Sequence, residues 1–136
     1  MEAKHKENLL KLARYLWDLP ENYAHFDMEY YFNVAGALRP PRSGELPTGC
    51  GTVACAVGHG PAAGIKPSDY VGWRHYTSEA FGARVLDPVW EWCFDARWSR
   101  KDNTPRGAAK RIFYMLENGA PPSVWNLESY ANQERF

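Results

Sequence analysis

The stretch TGCGTVACAVGHG, Thr48 to Gly60, gathers two cysteines, one histidine and four glycines into thirteen residues. Residues of these types at this spacing can serve four ends. On a helix, Cys55 and His59 stand four apart and face the same way, as zinc ligands do. Cys50 lies a little earlier, and His25, His75 or Cys93 could complete a set, but strong zinc signatures are two close pairs and only one loose group exists here. Cys50 is also a candidate nucleophile for a cysteine hydrolase. Just ahead of an expected helix start, a thiolate there gains from the helix dipole, and Gly49 and Gly51 leave room for a substrate carbonyl. The candidate bases His25, His59 and His75 show no local pattern tying any of them to Cys50. A third use is an anion cradle: Thr48, Gly49, Cys50, Gly51 and Thr52 offer free amides and two hydroxyls at a helix N-terminus, suited to a nucleotide or similar anion. Arg39 and Arg42 could assist, but the lysine of a P-loop and the strand of a dinucleotide motif are missing.

The fourth use is packing, and it ranks first. Ala54, Ala56, Gly58, Ala62 and Ala63 would make a slim helix against which wide Trp and Tyr rings can sit. Cys55 is then an interior thiol, and His59 caps its own fraying helix end or bonds a tryptophan-side carbonyl.

Periodicity gives the frame around this segment. Leu9, Leu12, Ala13, Leu16 and Trp17 form one stripe of a helix from about Glu2 to Leu19, stopped by Pro20. Asp27 is placed to cap a short helix through Tyr31. ALRPPRSGELPTG, Ala37 to Gly49, reads as an exposed loop, and Thr52 to about Ala63 as a helix broken by Gly58, Gly60 and Pro61. Tyr70 to Tyr76 suggests a short extended piece, with Thr77 or Ser78 capping a helix through Phe81. Asp87-Pro88 and Thr104-Pro105 are two N-cap-plus-proline starts. The first opens VWEWCFDARW, where Trp90, Phe94 and Trp98 share a face and Trp92 points elsewhere. The second opens RGAAKRIFYMLEN, with Ala108, Ile112, Met115 and Leu116 inward and Gly119 with Pro121 as its stop. Ser123 can start a last helix through Ala131. The expected fold is all-α, one compact domain over residues 1–136 with five to seven mostly short helices and at most one minor β element near 70–76.

Composition narrows the function classes. Sixteen Lys plus Arg balance sixteen Asp plus Glu, which argues against a general nucleic-acid binder. No apolar run approaches the roughly 20 residues of a membrane span, and MEAKHKENLLKLARYLWDL lacks the pattern of a signal peptide. Three cysteines cannot all pair, so reduced thiols in a cytosol are expected. The aromatic share of 15%, with six Trp and eight Tyr, exceeds what one core of this size easily hides. Trp92, Trp98, Trp125 and the Tyr30-Tyr31-Phe32 run are expected as surplus, and Trp92, Trp98 and Trp125 with Arg97 and Arg100 form the candidate protein interface. Arg97, Arg100, Lys101, Arg106, Lys110 and Arg111 crowd into fifteen residues, and read as a solvated face before a basic patch.

CGTVACAVGH resembles a CGTxxCxxGH/W element of small bacteriophage and prophage proteins. VWEWCFDARWS, DNTPRGAAKRIFYMLENG and the opening leucine-rich helix followed by FDM are similar to the rest of that family's pattern. The resemblance implies no reaction. It implies a phage-type accessory protein in the cytoplasm of an infected bacterium. The resulting expectation is non-catalytic binding to a host or phage protein, inhibition of a host defence system being one form. No cofactor and no metal are expected, self-association is left open, and the alternatives are the anion site at 49–52 and the Cys50 hydrolase.

Overall fold

Leucine spacing sets the first helix. In the computed structural model, which describes residues 1–29, 33–34, 52–66 and 72–120, α1 runs Ala3–Trp17 and buries Leu9, Leu12, Ala13 and Leu16. Trp17, expected on that stripe, lies at its edge and is 39% exposed. Beyond Trp17, Asp18 and Leu19 donate their amides back to Arg14 and Leu16, closing the helix before Pro20.

The glycine-rich segment does not form the expected helix. Thr52–Val53 is a two-residue strand, β2, paired antiparallel with β1 (Asn33–Val34), Val53 opposite Asn33 and Thr52 opposite Val34. Ala54 then donates to the His25 carbonyl at 2.9 Å, and Asp27 donates to the Ala54 carbonyl at 3.0 Å. These backbone groups are satisfied across the chain, so none is left to start a helix at 52. After β2 the chain makes one 3₁₀ turn, Val57–His59, and further turns to Gly64. Gly58, Gly60 and Pro61 oppose the helix that the alanines alone would favour, and the segment is still slim and largely buried.

Residues 73–76, expected as extended, form the first turn of α2, Trp73–Phe81. The buried Trp73, Tyr76, Thr77, Ala80 and Phe81 recur at three and four, a helical stripe hidden by the glycine and tyrosines around its start. Thr77 is not a cap. It lies inside the helix, its hydroxyl donating to the Trp73 carbonyl at 2.6 Å. Gly82 ends α2 with φ 65, and α1 covers that end: Asn8 donates to the Ala80 carbonyl and the His5 ring bonds the Glu79 carbonyl.

Both proline starts are helices. α3 is Pro88–Phe94 and α4 is Pro105–Asn118. The Asp87 side chain makes no capping bond, whereas the Thr104 hydroxyl accepts from Gly107 N at 3.0 Å. VWEWCFDARW is not one helix. Asp95 is extended, its carboxylate accepts from Arg97 N, and a separate 3₁₀ helix, Ala96–Arg100, turns back. Asp27 accepts from Glu29 N and from the Asn103 side chain, whose carbonyl oxygen takes the Met28 amide; the short helix expected through Tyr31 extends outside the described residues. The described residues thus hold four α-helices and two 3₁₀ turns, fewer α-helices than five to seven, with α1 packed on α4 and α2, and α3 on α4.

Gly60 is hemmed in by a ring. A Cβ there would overlap the Tyr76 hydroxyl and stand 3.0 Å from two carbons of that side chain. Tyr76 is 1% exposed and donates to the Ile65 carbonyl, so the ring cannot swing away. Gly60→Ala is expected to lose about 2 kcal/mol by overpacking, read from the urea midpoint.

Candidate interaction surface

The expected interface residues divide. Trp92 and Trp98 are each 1% exposed and cross edge to face with centroids 5.4 Å apart. Their indole N–H groups donate to the Arg111 and Glu91 carbonyls. Both rings are core, not surface, because the break at Asp95 folds Trp98 back onto α3. Arg97 and Arg100 are not buried, and Arg97 is held by Asp95 at 3.1 Å. Trp125 lies outside the described residues.

Thr48, Gly49, Cys50 and Gly51 also lie outside them. Of that candidate anion site only the Thr52 backbone is described, and it is strand. The neighbouring thiols are inert: burial pushes Cys55 up to about 11 and Cys93 up to about 12, so both keep their protons at neutral pH. His59 is fully buried among the rings of Tyr15, Tyr23 and Phe26. Its Nε2 lies 2.9 Å from the His25 carbonyl, which only an N–H can satisfy, so Nδ1 is the bare nitrogen; among the described residues it has no hydrogen-bond partner. Burial holds the ring down to about 4, and it is neutral. Among the described residues no three His, Cys, Asp or Glu side chains come together to hold a metal.

The surface feature that periodicity missed is where α1 ends against α4. Trp17 meets Phe113 edge-on, centroids 6.3 Å apart, and the Arg106 guanidinium lies 5.0 Å over the indole. Arg14, Trp17, Asp18 and Phe113 line a concavity of about 400 Å³. Arg106, Lys110 and Phe113 are spaced four and three, so they share one face of α4, and both cations are exposed. That spacing was available in the sequence; the end of α1 against it was not. No protein-family model, no curated protein and no solved structure matches the chain. The chemistry of the surface is its own guide: an apolar rim that can grip a side chain, and three exposed cations, Arg14, Arg106 and Lys110, against two exposed carboxylates, Asp18 and Glu117. Among the described residues no helix is long and apolar enough to cross a membrane.

Proposed function

We propose that the chain acts by binding a protein partner, and that the partner docks where Trp17 meets Phe113. The observation that carries this is a half-open indole held between an aromatic edge and an arginine. Trp and Arg dominate binding energy where they are pre-positioned and ringed by groups that exclude water. The excess of cations selects the occupant: a segment that sets an apolar side chain into the concavity and a carboxylate against Arg106 and Arg14. The resemblance of Cys50–His59 and Asn103–Ile112 to small phage and prophage proteins supports a host or phage protein in an infected bacterium as that partner, inhibition of a host defence system being one form.

A random copolymer of glutamate and tyrosine is a probe with both features. Its binding to the full chain is expected to weaken roughly thirtyfold in Trp17→Ala, the loss of about 2 kcal/mol typical of a hot spot. Arg106→Glu is expected to weaken it roughly tenfold, about 1.4 kcal/mol, and more at low salt. Arg100→Glu, on the 3₁₀ helix, should change it little. Fluorescence anisotropy reads all three, and equal affinities for wild type and Trp17→Ala would rule the site out.

A further inference from the structure

The run of cations from Arg97 to Arg111 reads as a solvated face, yet Arg111 is one of the most buried side chains of the protein, with 0% exposure. Its guanidinium is held on two sides. The group lies 4.3 Å from the Trp98 ring centroid, and Nη1 donates to the Asp102 carbonyl at 3.2 Å. Among the described residues Nε and Nη2 have no hydrogen-bond partner. These two donors are neighbours on one edge of the group, and together they form the fork that takes both oxygens of a carboxylate or two of a phosphate. An enclosed cation with its fork open is a costly arrangement, since buried charge is tolerated when paired. The Asp102 carboxylate does not fill the role: it is exposed and accepts from the Thr104 hydroxyl at 2.8 Å.

We infer that the Nε–Nη2 edge of Arg111 is a seat for one oxyanion, a carboxylate or a phosphate group, on the side of the guanidinium opposite the Nη1 bonded to the turn at 101–104. Arg100 and Lys101, exposed at the start of that turn, raise the local anion concentration. The stacked Trp98 face keeps the guanidinium oriented. This seat does not depend on the Trp17 surface, which lies on another face of α4.

The test is an NMR titration of the Arg111 Nε–H resonance in the full chain, with inorganic phosphate and, separately, acetate at constant ionic strength. A saturable shift with either anion is expected, with a parallel rise of several degrees in Tm, since a ligand bound only by the native state stabilises it. Response to phosphate alone identifies a phosphoryl ligand, and response to both identifies the wider oxyanion class. Arg111→Lys keeps the charge but lacks the fork, and is expected to lose the saturable rise in Tm. If that variant does not fold, the wild-type resonance decides. An Nε–H signal that stays put through both titrations, or an equal rise in Arg111→Lys, overturns the inference.

Discussion

Trp98→Ala is expected to lose about 4 kcal/mol of stability, the range found when a buried tryptophan is truncated. Three contacts go together: the edge-to-face pair with Trp92, the hydrogen bond to the Glu91 carbonyl, and the ring beneath the Arg111 guanidinium. The last makes the change worse than a cavity alone, because Arg111 keeps its charge. Burial lowers its pKa only to about 10, so the group stays cationic near neutrality and loses the ring stacked on it. For a domain whose total stability is about 5–15 kcal/mol, such a loss brings unfolding close to ambient conditions. Urea denaturation followed by far-ultraviolet circular dichroism reads it. A loss below about 1 kcal/mol, the scale of a surface substitution, would show that the indole is not packed as described.

Acid is expected to destabilise the protein through His59. The ring titrates near 6.5 when unfolded and about 4 when folded, first because burial disfavours the imidazolium. The unfolded chain therefore binds the proton more tightly. The stability is fully present above pH 6.5 and is lost as pH falls towards and through 4. Between pH 7 and 4 the loss is about 3 kcal/mol, from 1.36 kcal/mol for each unit of difference. The His25 carbonyl, which would favour the cation, does not offset a cage of three aromatic rings with nothing to accept a second proton-bearing nitrogen. His59→Phe keeps the packing and removes the titration. Urea midpoints at pH 7, 5.5 and 4 should separate the two proteins by that amount at the acid end, and parallel profiles would show that His59 is exposed or charged.

The two variants touch different elements and test different parts of the core. Trp98 and Arg111 join the 3₁₀ helix after α3 to α4. His59 joins the turns after β2 to α1, through Tyr15, and to the loop holding Tyr23 and Phe26. Their effects should add in the double variant to within about 0.5 kcal/mol, as sites without shared partners do.

Much of the helical frame was readable by counting. The stripe Leu9, Leu12, Ala13, Leu16 needs one inward face, and Thr104-Pro105 marks a helix start by its hydroxyl cap and its fixed φ. These signals are local, carried by neighbours along one turn, so no tertiary contact is needed to make them. The segment from Thr52 to Ala63 failed for the complementary reason. Small residues leave the backbone's choice to distant partners, here His25 and Asp27, which take up the Ala54 amide and carbonyl.

The fates of individual side chains were decided the same way. Composition suggested more rings than the interior could hide, yet among the described residues Trp17 alone of the aromatics is exposed. Trp98 went inside because Asp95 breaks α3 and folds the chain back, and Arg111 followed it under the same ring. Trp17 stayed half outside because α1 ends there, against Phe113 and Arg106 of a helix far along the chain. Residue types and short-range spacing determined the helices and the supply of aromatic and cationic groups. Burial of a given ring or charge is a property of the surfaces that close over it, and those belong to elements far apart in the chain.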